Sequence, residues 1–189
     1  MATPLKVLGI SGSLRRGSYN TAALKAAQAL APDGMTIEIA SIADIPLYDA
    51  DIQAEGFPAS VQALGEKIRA ADAVLFASPE YNYSIPGVLK NAIDWISRLP
   101  DQPLAGKPIG MIGASQSILG AARAQYHLRQ TFVFLDALPI NKPEVFIAQA
   151  HTRFDETGAL TDEATRGFIK ALVEALANWT RRLQASPRA

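Results

Sequence analysis

The chain has 189 residues, and its 18 Lys and Arg balance 18 Asp and Glu, so no net charge draws it to nucleic acid. Its length and 49% hydrophobic content predict one globular domain over residues 1–189, with a frayed tail over 184–189. The lack of cysteine excludes disulfides, thiolate nucleophiles, iron–sulfur clusters and Cys-ligated zinc, and His127 and His151 lie in no H-x-x-x-H pair and near no G-x-S-x-G elbow, which disfavours metal and acyl-transfer chemistry.

The first residues pass straight into an apolar run without a basic and then extended hydrophobic leader, and no stretch of about 18 apolar residues follows. A cytoplasmic protein without a membrane segment is the expectation. The run over 7–10 ends in Ser and Gly and predicts a buried strand, with a helix over 21–30 after it. Residues 35–40 alternate as a second strand, and 45–51 form a turn-rich stretch. Val61, Leu64, Ile68 and Ala71 recur at helical spacing. Residues 73–77 form a third, wholly apolar strand. Pro86 then suits the first turn of a helix with Val88, Leu89, Ala92, Ile93 and Ile96 on its inner side. A strand over 109–113, a helix over 120–134, a fifth strand over 144–147 and a closing helix complete the chain. That last helix is marked by Phe168, Leu172, Val173, Leu176, Trp179 and Leu183. Strands alternating with helices imply a parallel α/β sheet covered on both faces, because parallel neighbours need crossover connections.

In such a sheet ligands bind beyond the carboxyl ends of the strands, so the loops after the first, third and fourth strands matter most. The first reads G-S-L-R-R-G-S-Y-N over 12–20 and combines glycines, hydroxyls and cations just before a helix, a composition suited to phosphate. Gly12 and Gly17 match the glycines of a nucleotide-hydrolysing P-loop, but Ser18 occupies its lysine position; Gly9, Gly12 and Gly17 do not form G-x-G-x-x-G. A mononucleotide phosphate fits better. An ordinary solvated turn capped by Ser18 or Asn20 fits the same residues. The loop after the third strand sets Glu80, Tyr81, Asn82 and Tyr83 between Pro79 and Pro86, a rigid frame for a planar ring or simply a stiff surface loop. Ser115 and Ser117 offer further donors after the fourth strand.

With these segments the chain resembles the NAD(P)H-dependent FMN reductases, a family that includes bacterial quinone and chromate reductases and some azoreductases. The resemblance rests on the G-S-x-R-x-x-S-x-N pattern over 12–20, on S-P-E-Y-N-Y-S-I-P-G-V-L-K-N-A-I-D-W over 78–95, and on A-R-A-Q-Y-H-L-R-Q over 122–130. It implies a flavodoxin-like three-layer sandwich with a five-stranded parallel sheet of order 2-1-3-4-5. It places Ser13, Arg15, Ser18 and Asn20 around the FMN phosphate, Pro79, Glu80, Tyr81, Asn82 and Tyr83 around the isoalloxazine and ribityl chain, and adds Ser115. It also implies a homodimer or homotetramer, with helices near 89–96 and 123–129 in the contacts. Relatives carry more glycine in the loop that here reads S-Q-S-I-L-G-A-A over 115–122.

The implied function is an oxidoreductase in which NADH or NADPH reduces bound FMN and electrons pass to a quinone, azo compound or metal oxyanion. The cofactor performs the chemistry, so no catalytic side chain and no metal ligand is assigned. Arg16, Tyr48 and Tyr83 are candidates to border the nicotinamide and acceptor, and Glu80 is read as structural rather than as a general acid, since it has no paired carboxylate. His127 is expected to make a hydrogen bond or an interface contact. The alternatives are a flavodoxin-like electron carrier reduced by a protein partner, which balanced charge disfavours, and a ligand-sensing module without turnover.

Overall fold

A computed structural model describes residues 4–185. Six strands, β1 (Leu5–Ser11), β2 (Met35–Ala40), β3 (Ala73–Ala77), β4 (Pro108–Ala114), β5 (Leu138–Pro139) and β6 (Val145–Ile147), make one parallel sheet of order β2-β1-β3-β4-β5, with β6 also paired to β4. The expected five-position flavodoxin-like order is therefore present. Its fifth position, expected only over 144–147, is divided: β5 pairs with Pro108 and Ile109, and β6 pairs with Ile112 to Ala114. Pro143 lies in the intervening segment and has no N–H for a ladder.

Helices α1 (Tyr19–Ala29), α2 (Ala50–Glu55), α3 (Ala59–Ala70), α4 (Gly87–Ile96), α5 (Ala122–Phe134) and α6 (Glu163–Ala185) complete the layers. Alternate residues of each central strand enter opposite cores. Leu5, Val7, Leu75 and Ile112 pack with Leu24 of α1 and with Leu172, Val173 and Leu176 of α6. Leu8, Ile10, Phe76 and Met111 pack with Leu64 of α3, Leu89 and Trp95 of α4, and Leu128 and Phe132 of α5. Two buried faces explain why β1, β3 and β4 read as continuous apolar runs rather than alternating ones.

Several expectations are corrected by the packing. The stretch over 45–51 leads into α2, which no apolar stripe announced because none of its residues is buried. Val88 and Phe168 are exposed at 37% and 61% instead of facing a core, while Trp179 is half-buried and its indole N–H donates to the Leu138 carbonyl at 2.8 Å. Gln184 and Ala185, expected in a frayed tail, are the last helical residues of α6. The rest of that expected tail, 186–189, lies outside the described residues.

Candidate functional site

The chain reverses its winding between β1 and β3, where their carboxyl ends leave a crevice between loops 12–18 and 78–86. The two loops touch. Gly12 donates its N–H to the Ala77 carbonyl at 2.7 Å, and a Cβ on Gly12 would lie 3.0 Å from Leu89 Cδ2 and 3.3 Å from Pro79 Cδ, so glycine permits this approach.

Within the first loop the predicted residues divide by task. Ser18 is buried and caps α1, its Oγ accepting from the N–H groups of Asn20 at 3.2 Å and Thr21 at 3.4 Å. Asn20 is buried too, and its side-chain amide takes both backbone groups of Ala114, donating to the carbonyl and accepting from the N–H at 2.9 Å each. It ties the start of α1 to the end of β4. The capping alternative is thus realised for the Ser18 side chain, while Asn20 orients two loops. Ser13 Oγ accepts weakly from the Arg15 N–H at 3.4 Å, and the Arg15 guanidinium lies 5.3 Å from the Tyr19 ring centre. Among the described residues the N–H groups of Leu14, Arg16 and Gly17 have no protein acceptor. Free amides, the Ser13 hydroxyl, the exposed Arg15 cation and the positive end of α1, whose first turn carries no acid, form a donor set that fits a phosphate.

The second loop is a tight hairpin. Tyr81 and Ser84 exchange backbone hydrogen bonds at 3.1 and 3.0 Å, and Asn82 and Tyr83 sit between them with φ of 49° and 69°, the arrangement of a type I′ turn. Tyr81 and Tyr83 are exposed, at 51% and 68%. Beneath them Glu80 points into α5: Oε2 accepts from the N–H groups of Arg123 at 3.0 Å and Ala124 at 3.3 Å, and Oε1 accepts from Arg123 Nε at 2.5 Å. The Arg123 guanidinium covers the Tyr83 ring at 3.5 Å. Partial desolvation opposes its charge, but hydrogen bonds to Glu80 and Tyr83 outweigh that and raise its pKa above the usual arginine value. Glu80 thus has both carboxylate oxygens engaged by α5. Its partner Arg123 was not assigned, although α5 begins after Ala121, which offers no capping side chain, and an acid from another loop is what such a helix needs.

The third loop turns on Ser115, whose N–H donates to the Ile147 carbonyl at 3.0 Å and whose Oγ contacts Ser117 Oγ at 3.1 Å. Ile118 and Leu119 project outward at 78% and 41% exposure. Of the other candidates, Tyr48 is half-buried against Trp95 at 5.0 Å with its hydroxyl on Gln53, and His127 Nδ1 meets Ser84 Oγ at 2.9 Å. No group of three or more metal-ligating side chains occurs among the described residues.

A doubly wound parallel sheet with a donor-rich loop and an aromatic hairpin at its switch point is the architecture of a flavodoxin-like nucleotide-binding protein. The chain belongs to the NADPH-dependent FMN reductase family, whose pattern matches residues 5–152. It is 59% identical over 184 residues to an NAD(P)H-dependent FMN reductase of Pseudomonas aeruginosa, covering 97% of this chain and 100% of the relative. A quinone reductase of Escherichia coli is 49% identical over 187 residues, with 97% and 100% covered. Among solved structures, the flavoenzyme NAD(P)H:(acceptor) oxidoreductase FerB of Paracoccus denitrificans superposes with a TM-score of 0.85 at 37% identity, covering 94% of this chain and 98% of that one. The protein is accordingly an FMN-dependent oxidoreductase with NAD(P)H as electron donor. No helix among the described residues is long and apolar enough to cross a membrane.

Proposed function

We propose that the chain is a cytoplasmic quinone reductase, with azo compounds and metal oxyanions such as chromate as further acceptors. The observation that carries the cofactor's placement is the contact of Gly12 with Pro79 and Leu89, which sets the donor-rich loop beside the aromatic hairpin. FMN, when bound, supplies the hydride-accepting and electron-donating chemistry.

The protein's residues bind and orient. Ser13, Arg15 and the free amides of the first loop hold the phosphate; Ser18 and Asn20 fix that loop from within, through α1 and Ala114. Pro79, Tyr81, Asn82 and Tyr83 border the ring and ribityl chain from a hairpin that Glu80 anchors, and Ser115 closes the third side. Exposed Tyr81, Tyr83, Ile118 and Leu119 offer a surface suited to a flat, apolar acceptor. Residues 1–189 act as one domain in this reading. Helix α5 carries exposed Tyr126, Val133 and Phe134, at 49%, 79% and 89%, which supports association into a homodimer or homotetramer.

The test is the visible spectrum of the purified protein after FMN addition and removal of free ligand, followed by anaerobic NADPH or NADH and then a benzoquinone, an azo dye or chromate. Retained colour that bleaches and returns fastest with the quinone is expected. Absence of retained flavin in a folded sample overturns the site assignment, and faster reoxidation by chromate than by quinone overturns the acceptor assignment.

A further inference from the structure

Beyond the phosphate loop, and away from the aromatic hairpin, a cleft of about 620 Å³ runs between α1, the turn over 154–160 and the start of α6. It shares Arg15 and Ser18 with the flavin residues assigned above and includes none of 79–83 and not Ser115. The flavin reading therefore leaves most of it unexplained.

Its walls have a consistent chemistry. Arg15, Arg16, Lys25 and Arg166 line it, although the chain as a whole carries no net charge. Arg15, Arg16 and Lys25 form no ion pair among the described residues, and Arg166 has only an exposed pair with Glu163 at 3.5 Å. Of the two acids facing them, Asp155 is engaged by its own turn: Oδ1 accepts from Thr157 N–H at 2.9 Å, Thr157 Oγ1 at 2.7 Å and Ala159 N–H at 2.9 Å. Two carboxylates, Asp155 and Glu156, thus face four cations, and Asp155 is held by its own turn and pairs with none of them. Between the charges the lining includes the small residues Ala22 and Ala26 on α1 and Gly158 and Ala159 on the turn, together with the hydroxyls of Thr21 and Thr157, a mixed surface suited to a heterocycle. The turn is braced for this by the Phe154–Leu160 bridge and by the Phe154 ring, which lies 5.6 Å from the Tyr19 ring.

We propose that this cleft holds the phosphorylated adenosine end of a dinucleotide, with the adenine between α1 and the turn and the phosphates among Arg16, Lys25 and Arg166. A lone phosphate would leave a space of this size largely unfilled, and an apolar ligand would leave the cations unanswered. The inference rests on the flavin reading for its place beside the first loop. Three dinucleotides carry an adenosine 5′-diphosphate, NADH, NADPH and FAD, and NADPH adds a 2′-phosphate.

The probes are ADP, the part common to these dinucleotides, and 2′,5′-ADP, titrated calorimetrically into the FMN-loaded protein and into Lys25→Glu, Lys25→Arg and Arg166→Glu variants whose folding is checked by thermal melts. Saturable binding that weakens about tenfold on charge reversal, is kept by Lys25→Arg and falls with added salt is the expected result. FMN affinity, read by fluorescence quenching, should stay within about twofold in all of them, since none of these side chains lies in the flavin set. Failure of the wild-type protein to bind either ADP or 2′,5′-ADP, or equal binding by the charge-reversal variants, overturns the proposal. If FMN itself is not retained, the flavin reading fails separately, and the same titration on the flavin-free protein still decides the cleft. A raised KM for NADPH in Lys25→Glu assigns the adenosine to the electron donor; an unchanged KM with FAD bound more tightly than FMN, and that advantage lost in Lys25→Glu, assigns it to FAD.

Discussion

Glu80 and Arg123 join the loop after β3 to the helix after β4. One oxygen of the Glu80 carboxylate takes the first free N–H groups of α5 and the other takes the Arg123 side chain, while that guanidinium lies on Tyr83, three residues beyond Glu80. The hairpin is thus held from below by a helix cap and from above by a cation on an aromatic face. Its two positive-φ residues, Asn82 and Tyr83, are kept in a conformation that a bulky side chain seldom adopts.

Removing the carboxylate should release both ends of this clamp. Glu80→Ala is expected to cost about 0.5–2 kcal/mol of stability, the range for losing a helix cap. It should also weaken flavin binding through the loosened hairpin. Urea denaturation of the flavin-free protein and FMN titration of the folded variant measure the two effects separately. Unchanged stability would show that water replaces Glu80 at the α5 terminus without loss.

Arg15 and Asn20 should respond in opposite ways, although both belong to the same nine-residue motif. The Arg15 guanidinium is exposed and makes no ion pair among the described residues, its ring contact being Tyr19, so Arg15→Ala should leave the fold intact while removing a charge-assisted phosphate contact. A loss of about 1.5–3 kcal/mol in FMN affinity is expected, with a shallower dependence on salt than in the wild type. Equal FMN affinity for the two proteins across ionic strengths would remove Arg15 from the site.

Asn20→Ala, by contrast, strips the partner from two backbone groups of Ala114 at a buried position. A stability loss of about 1–3 kcal/mol is expected, larger than for Arg15→Ala, because a buried donor and acceptor lose their bonds together. Asn20→Asp keeps one acceptor and sets a carboxylate against the Ala114 carbonyl, so it should be no better. Denaturation midpoints of the three variants test the order.

The contrast between these two residues shows where sequence reading reaches and where it stops. The central strands were legible because β1, β3 and β4 are buried on both faces and leave unbroken apolar runs, whereas their order was implied by the family resemblance. Helix α2 was not, since a helix with no buried residue leaves no periodic trace. The three loops were legible from composition and from their place after strands. The division of labour within them was not, because the same Ser, Asn and Glu types serve a ligand or a neighbouring backbone equally well. Only the fold decides that Asn20 meets Ala114 and that Glu80 meets Arg123.

Gly120 tests the third loop. Its φ of 55° is one that other residues resist, and a Cβ there would lie 2.6 Å from the Phe146 backbone carbon, with no flexible atom to give way. Gly120→Ala should therefore displace β6 or the 115–121 loop and destabilise the protein by about 1–3 kcal/mol. If the acceptor meets Ile118 and Leu119, the variant should also raise KM for the quinone. A variant as stable as the wild type would mean that the loop has room the structure does not show.

Asp162 supplies a pH-dependent brace at the far end of the chain. Its carboxylate is held below the usual aspartate range by the Thr165 hydroxyl at 2.6 Å and the Thr165 N–H at 2.9 Å, with a smaller contribution from Arg153 at 2.7 Å, and burial works against the shift without cancelling it. A depressed folded-state pKa favours folding above the unfolded value of about 3.9, and that contribution disappears as pH falls through the lower folded value. Because Asp162 caps α6, the helix that closes one core, acid should reduce global stability and not merely fray an end. The melting temperature of the wild type should exceed that of Asp162→Asn most near neutral pH, and the difference should shrink from about pH 5 to about pH 2. A difference that is constant over this range would mean that the hydrogen bonds of Asp162, and not its charge, carry the whole effect.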